Sequence, residues 1–205
     1  MNDEQARTEE PVYIVAGDLV ALGPLRPEQV DLWLRWLNDV EVTRTLNTRS
    51  PVTREAEQRF YDQAVVASDS VNFAIYDRAR GVAIGTTGLR EINHAQGTAT
   101  FGIFIGDKTC WNRGFGTEAT RLTLDYAFHL LGLHNVLLAV FSTNPRGQRA
   151  YEKAGFREIG RRRQAFKLGQ RRYDEILMDA LASEFVSPVL ETALHAPLAP
   201  KTPQA

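Results

Sequence analysis

The sequence predicts an α+β domain (mixed α/β), built on a central mixed, mostly antiparallel β-sheet flanked by helices. Three strand-like runs, 71–77, 82–92 and 98–106, follow one another with only short glycine-containing connections between them. Such spacing is typical of an antiparallel meander. Segments with helical periodicity lie before and after these runs, and the sequence contains no internal repeat.

Length and composition predict one working domain with two tails. The chain has 205 residues, of which 43% are hydrophobic and 24% are charged, which suffices for one sizeable core. Residues 1–11 are polar and acidic, and residues 187–205 are rich in proline and alanine without periodicity. We therefore expect disorder in both tails and a folded domain over 12–186.

Charge and cysteine content limit the expected partners. The net charge of -1 provides no extended field that would attract nucleic acid or an anionic membrane. A single cysteine excludes an internal disulfide, and four scattered histidines without CxxC or HxxxH spacing predict no metal site. Because the sequence shows neither a leader nor a long apolar run, the expected location is cytoplasmic.

Two helices are predicted before the meander. The first follows Pro27 and carries apolar residues at helical spacing, namely Val30, Trp33, Leu34 and Leu37. The second begins near Thr53, and its expected buried face consists of Ala56, Phe60 and Ala64. Trp36 falls off the first apolar stripe, so it is a candidate wall of a substrate site.

Two further helices and three strands are predicted after the meander. A helix over 117–131 precedes a continuously apolar run, 136–141, which predicts a strand buried on both faces. The next helix has Asn144 as N-cap, Pro145 at its first position and Gly155 just past its end. The remaining segment, 157–181, predicts two strands that turn at Gly169.

A glycine-containing segment leads from the meander into the helix that follows it. Its residues are Trp111, Asn112, Arg113, Gly114, Phe115, Gly116 and Thr117. The first turn of a helix has N–H groups without intrahelical partners and carries partial positive charge, so it can hold a phosphate through the backbone. Glycine allows close approach, and Arg113 adds a permanent cation. The segment predicts an anion site, and a plain glycine turn explains it about equally well.

Two nucleotide-binding motifs compete for this segment. Gly114, Gly116 and Ala119 also satisfy the Gly-x-Gly-x-x-Gly/Ala spacing of the dinucleotide fingerprint. That fingerprint follows the first strand of a βαβ unit and requires an acid at the end of the next strand, where this chain has Ser-Thr-Asn. A Walker loop is excluded because no Gly-Lys-Ser/Thr follows the glycines.

The spacing of these glycines matches the loop Gln/Arg-x-x-Gly-x-Gly/Ala of a known family. The family's later pattern, an asparagine followed by Tyr-x-x-x-Gly-Phe, is matched by Asn144, Tyr151, Gly155 and Phe156. In these features the stretch 101–156 resembles the acyl-CoA-binding core of the GNAT N-acetyltransferases, particularly their RimJ/RimL-like branch. Weaker similarity extends over 19–181. Trp111 departs from the pattern because it occupies the Gln/Arg position.

The resemblance implies a GNAT fold, whose sheet splays beside the third meander strand. Backbone groups near Ile103, Phe104 and Ile105 would then pair with the pantetheine arm of acetyl-CoA, as a strand would. The glycine segment would hold the pyrophosphate. Asn144 would contact the coenzyme, although its N-cap role alone explains it fully.

The resemblance also implies residues for proton transfer. Acyl transfer to an amine is helped by a proton donor for the departing thiolate and by a base for the amine. Tyr151 matches the family's donor position, and Ser142 could replace or assist it. Glu91, late in the second meander strand, is the candidate base, with a solvated strand-end glutamate as the alternative.

The expected function is transfer of an acetyl group from acetyl-CoA to a primary amine, by direct attack in a ternary complex. The acceptor would be a protein or peptide N-terminus or a small molecule such as a polyamine or an antibiotic. Asn38, Asp39 and Glu41 could attract a cationic acceptor, or could form a solvated loop. A non-catalytic acyl-CoA sensor on the same fold is the alternative, and a homodimer through the C-terminal strands is a further expectation.

Overall fold

The structure is a computed structural model that describes residues 11–48 and 50–196. Its strands are β1 (Val15–Ala16), β2 (Val20–Pro24), β3 (Val71–Asp77), β4 (Val82–Asn93), β5 (Thr98–Ile105), β6 (Asn135–Phe141), β7 (Arg157–Leu168) and β8 (Arg171–Leu181). Its α-helices are α1 (Val30–Leu37), α2 (Val40–Thr43), α3 (Arg54–Ala64), α4 (Phe115–His129), α5 (Pro145–Ala154) and α6 (Leu190–His195).

The strands form one sheet in the order β1-β2-β3-β4-β5-β6-β8-β7. Every neighbouring pair is antiparallel except β5 and β6, which run parallel. The predicted fold class is confirmed, including the meander β3-β4-β5 and the final hairpin. No helix among the described residues is both long enough and apolar enough to cross a membrane.

The parallel pair β5 and β6 separates soon after it forms. Only Thr98, Ala99 and Thr100 have register partners on β6, and the last pair joins Thr100 to Leu137. Beyond this point β5 continues to Ile105 with β4 as its sole neighbour in the sheet. The predicted splay is therefore present, and it opens a cleft between the C-terminal halves of the two strands.

Helices cover both faces of the sheet. In β3, Phe73 and Ile75 pack in one apolar cluster with α4, whereas Ala74 and Tyr76 pack in another with α1. Because successive residues of a strand point to opposite faces, α1 and α4 lie on opposite sides. Helix α5 lies on the α4 side, where Tyr151 joins the same cluster as Leu124.

The burial of two predicted elements differs from expectation. Helix α3 buries Glu57, while Phe60 is 53% exposed, so its inward face is rotated from the predicted one. The expectation followed apolar residues only, and a glutamate occupies the inward position. Strand β6 alternates between buried and exposed residues, with Leu137 and Ala139 exposed, because within the described residues only one face of β6 contributes to an apolar cluster.

The C-terminal boundary also differs from the sequence expectation. Residues 187–196, assigned to a disordered tail, include α6. The buried carboxylate of Asp125 holds them: it accepts hydrogen bonds from the Ser187 hydroxyl at 2.6 Å and from the Val189 and Leu190 N–H groups at 3.1 and 2.9 Å. The rest of the predicted tails, 1–10 and 197–205, lies outside the described residues.

Candidate active site

The splay between β5 and β6 opens into a cleft of about 890 Å³. Its walls include residues 101–105 of β5 and 138–141 of β6, with residues from the starts of α4 and α5. Residues from α1, α2 and α3 line its other part. We call the part formed by α4 and α5 the coenzyme end, and the part formed by α1, α2 and α3 the acceptor end.

The glycine segment supplies a helix N-terminus at the coenzyme end. Helix α4 begins at Phe115, two residues earlier than expected, and Gly114 is its N-cap in a left-handed conformation (φ 89°). No side chain caps the helix. At Gly116 an added Cβ would meet only a side-chain atom of Ile105, at 3.8 Å. Packing therefore does not require glycine at 116, and the space beside it is open to a ligand.

Basic residues of α5 surround the same end. Arg146, Arg149 and Lys153 line the cleft, and Lys153 also lines an adjoining depression with Arg121 and Thr117 of α4. The spacing i, i+3 and i+7 places the three α5 cations on one helix face. Sequence analysis overlooked them, although this spacing is visible in the sequence.

Trp111 has a specific place in the cleft despite its departure from the family pattern. Its indole N–H donates to the Ile105 carbonyl at 2.9 Å, and the Arg146 guanidinium lies 3.8 Å from its ring centre. The Ile105 carbonyl is thus already paired, which differs from the expectation that it awaits the coenzyme. Burial, followed by the nearby charge of Arg44, lowers the pKa of Arg146.

The other predicted coenzyme residues are distributed around this cleft. Ile103, Phe104 and Asn112 line it, and the Phe104 ring meets the Trp36 ring edge-on at 6.2 Å. Trp36 thereby lies beside the cleft-lining strand. Arg113 instead donates to the Thr109 carbonyl at 3.3 Å and lies over the Phe115 ring.

Tyr151 lies at the point where the strands separate. Its ring packs against Phe101 and Phe156, with centroids 6.0 and 6.1 Å away, and the residue lines the cleft. Burial raises the pKa of Tyr151 to about 12, an effect that the charge of Arg146 opposes. The phenol is therefore neutral at physiological pH and can act as a hydrogen-bond donor.

Asn144 and Ser142 have different surroundings. Asn144 lines the cleft, and its side chain accepts from the Gly147 N–H at 2.9 Å as the N-cap of α5. Ser142 is not among the residues that line the cleft. Its N–H donates to the Asp174 carbonyl at 2.9 Å, and its hydroxyl accepts from the Asp174 N–H at 3.2 Å. Ser142 is thus hydrogen-bonded to the neighbouring strand β8.

Glu91 lies in an irregular stretch of β4. It adopts a left-handed backbone conformation (φ 54°) where the pairing with β5 shifts, which is uncommon for a residue other than glycine. Its carboxylate accepts from the Thr100 hydroxyl at 2.7 Å, although Glu91 does not itself line the cleft. Since Thr100 and Phe101 are adjacent, Glu91 and Tyr151 approach the splay from opposite faces of the sheet.

The loop after α1 is held by hydrogen bonds and ion pairs with residues distant in the sequence. Asn38 exchanges side-chain hydrogen bonds with the backbone of Val52 at 2.9 and 3.0 Å. Asp39 caps α2, and with Glu41 it binds the Lys108 ammonium at 2.8 and 3.0 Å. The hydrogen bond from Lys108 lowers the pKa of Asp39. These carboxylates are therefore paired with a cation of the chain itself.

Glu57 of α3 is a candidate residue that sequence analysis missed. It lines the acceptor end of the cleft and is 5% exposed, and burial raises the pKa of its carboxyl group. Only its unexpected position on the buried face of a helix could have revealed it. Within 11–48 and 50–196, no group of three or more His, Cys, Asp or Glu side chains could hold a metal ion.

Known proteins share both the sequence pattern and the architecture. Residues 20–157 match the family described as "Acetyltransferase (GNAT) domain". The probable N-acetyltransferase YjcK of Bacillus subtilis (strain 168) is 37% identical over 109 residues, which cover 53% of this chain and 60% of that protein. Spermidine N(1)-acetyltransferase of Vibrio cholerae is 29% identical over 130 residues, 63% of this chain and 74% of that protein.

A solved structure shows the same similarity in three dimensions. The crystal structure of spermidine N-acetyltransferase from Vibrio cholerae, in complex with CoA and spermine, superposes with a TM-score of 0.75 and 25% identity. The superposition covers 82% of this chain and 99% of that protein. Because the family match spans more than half of the sequence and the fold agrees, this chain belongs to the GNAT acetyltransferase domain family.

Proposed function

We propose that this protein is an acetyl-CoA-dependent N-acetyltransferase that acts on a primary amine, with a small-molecule amine as the favoured acceptor. The observation that carries the proposal is the splayed cleft with an uncapped α4 N-terminus at one end and the Tyr151 ring at the separation point. The relatives are named as N-acetyltransferases, which supports acetyl transfer to an amine. Two of them are spermidine acetyltransferases, which supports an acceptor of the polyamine type. A peptide N-terminus is the other acceptor class.

The residues present fit acetyl-CoA. The free N–H groups at the start of α4 would hold the pyrophosphate, with Arg149 and Lys153 nearby for further phosphate charge. The unpaired edge of β5 at Ile103 would pair with a pantetheine amide, whereas the Phe104 carbonyl faces Gly85 of β4. When bound, the coenzyme supplies the activated acetyl group. The CoA in the related Vibrio cholerae structure supports this assignment.

We infer that Glu91 and Tyr151 divide the proton transfers. The amine attacks the thioester carbonyl, its proton passes through water to Glu91, which does not itself line the cleft, and the carbon–sulfur bond breaks. Tyr151 donates to the departing sulfur. With the pKa of Tyr151 near 12 and that of a thiol near 8.5, roughly, full proton transfer is uphill. The phenol therefore acts mainly by donating a hydrogen bond to the negative charge that develops on sulfur.

The finer assignments made from the sequence are also proposals. We place the chain in the RimJ/RimL-like branch because the pattern of 19–181 resembles it. We propose a cytoplasmic enzyme that needs no metal. A homodimer would use β7, which is an edge strand of 12 residues, since an unpaired edge can accept another chain.

Thiol release from acetyl-CoA tests the proposed function. The full chain is mixed with acetyl-CoA and a panel of primary amines, diamines and short peptides, and free thiol is measured over time. The proposal expects release that saturates with both substrates and requires the amine. Saturable coenzyme binding without amine-dependent release would instead support the non-catalytic sensor.

A further inference from the structure

Glu57 is a buried carboxylate without a partner at the acceptor end. It lines the cleft and is 5% exposed. Among the described residues, its side chain forms no hydrogen bond and no ion pair. Removal of a charge from water without a compensating partner is costly. A carboxylate kept in such a position is suited to a ligand that brings the missing positive charge.

The walls beside Glu57 are apolar and aromatic. Phe60 lies one turn further along α3, lines the cleft and is 53% exposed. Trp33 of α1 lines the cleft as well, and its ring packs against Tyr61 with a centroid distance of 6.3 Å. A carboxylate flanked by aromatic rings is a suitable site for an ammonium group, because ring faces also attract cations. The exposed Phe60 ring offers contact area for an alkyl chain.

Four basic residues and one further carboxylate line the cleft besides Glu57. The coenzyme end carries Arg146, Arg149 and Lys153. The second carboxylate in the lining is that of Glu175, which is paired with Arg162. Arg90 reaches the lining from β4, yet desolvation alone accounts for the raised pKa of Glu57. Within residues 11–48 and 50–196, no basic side chain forms an ion pair with Glu57.

We propose that Glu57 binds a second, non-reacting ammonium group of the acceptor, so that the substrate is a diamine or polyamine rather than a simple amine. This inference rests on the proposed function, because it assigns the acceptor class of the same site. The reacting amine would lie at the splay near Tyr151, and the alkyl chain would run along the apolar wall to Glu57. The length of this chain would then set substrate preference.

Matched acceptors and variants test the role of Glu57. The acceptors are n-butylamine and a series of linear diamines of increasing length, assayed by thiol release with saturating acetyl-CoA. For wild type we expect the best diamine to exceed n-butylamine in kcat/KM by at least about tenfold. Glu57→Gln should raise KM for that diamine by about ten- to a hundredfold with little change in kcat, and leave n-butylamine unaffected. Glu57→Asp should restore part of the diamine preference.

Glu55→Gln is the matched control, because Glu55 lies on the same helix but is exposed. It should not change either KM. Tm should not fall in Glu57→Gln, because a neutral amide replaces an unpaired buried charge. A loss of more than about 5 °C would mark a structural carboxylate and overturn the inference.

Two kinetic results would also overturn the assignment of Glu57. One is a wild-type kcat/KM that is no higher for any diamine than for n-butylamine. The other is an equal effect of Glu57→Gln on the KM values for the diamine and for n-butylamine. These results leave the proposed acetyl transfer intact, since n-butylamine turnover reports it separately. Thiol release that no amine stimulates would instead contradict the proposed function, and the assignment of Glu57 would fall with it.

Discussion

The two ends of the cleft are built from different kinds of chemical groups. The coenzyme end consists of a strand edge, an uncapped helix N-terminus and basic residues on one face of α5. Most of the groups that we propose for coenzyme binding are backbone atoms. The acceptor end consists of side chains from α1, α2 and α3, with the buried carboxylate of Glu57 among apolar neighbours. Its chemistry depends on which face each helix buries.

This difference suggests how one fold can serve several acceptors. Backbone groups at a helix N-terminus bind a phosphate whatever the surrounding side chains are, so the coenzyme end can remain constant. At the acceptor end, a rotation of α3 by one residue would exchange Glu57 for a neighbour of different chemistry. We therefore expect acceptor specificity to depend on the side chains of α1, α2 and α3.

Loss of the Tyr151 hydroxyl should have the largest effect. We expect Tyr151→Phe to lower kcat by about a hundredfold or more, because a hydrogen bond to developing charge is lost. The KM for acetyl-CoA should change little, since the ring still packs against Phe101 and Phe156. Tyr126→Phe, on α4 outside the cleft lining, is the control. Equal losses in kcat and in coenzyme affinity would show that Tyr151 is a structural residue.

The pH profile of wild type gives a second measurement on the same residue. Because burial raises the pKa of Tyr151 to about 12, its hydroxyl group keeps its proton below that pH and loses the proton only above it. We expect kcat to show no decline caused by Tyr151 between about pH 7 and 10. A decline in this range that disappears in Tyr151→Phe would contradict the raised pKa.

Local sequence signals account for much of the coenzyme end. Asn144, Pro145 and Gly155 mark the limits of α5 through rules that act within a few residues. The helix after the glycine segment was also predicted, although α4 begins at Phe115, two residues earlier than expected. Backbone geometry is set locally, so a single sequence can reveal it. The splay between β5 and β6 was predicted only from the resemblance to a known family, since strand pairing is not a local property.

The acceptor end was harder to predict because burial is decided by packing between distant segments. The pattern of Ala56, Phe60 and Ala64 favours one face of α3, whereas the structure turns Glu57 inward and leaves Phe60 exposed. A charged residue is normally assigned to solvent. Likewise, Asp39 and Glu41 look like free acids in the sequence, but Lys108 from 69 and 67 residues away binds them.

A methyl group at the α4 N-terminus should weaken coenzyme binding without harm to the fold. We expect Gly116→Ala to raise the KM for acetyl-CoA by about tenfold, roughly 1.4 kcal/mol, because the methyl occupies the space open to the pyrophosphate. Tm should stay constant or rise, since the new Cβ meets only Ile105 at 3.8 Å and alanine favours helix. Gly160→Ala in β7, with nothing within 4 Å, is the control. An unchanged KM would show that Gly116 does not lie against the coenzyme.

Removal of the cation that pairs with Asp39 and Glu41 should have the smallest effect. Lys108→Met removes the cation bound by Asp39 and Glu41 and leaves both carboxylates free. If the charge of this loop attracts the acceptor, the variant should have a KM for a diamine several-fold below that of wild type in low salt. In high salt the two KM values should be equal, because salt screens exposed charges. If Glu57 provides the recognition, KM should change by less than about twofold at either salt concentration, since exposed charges contribute little. We expect the second result. The measurement is KM for the diamine at low and high salt, on wild type and on Lys108→Met. It decides between a recognition site in the exposed loop and one in the buried end of the cleft.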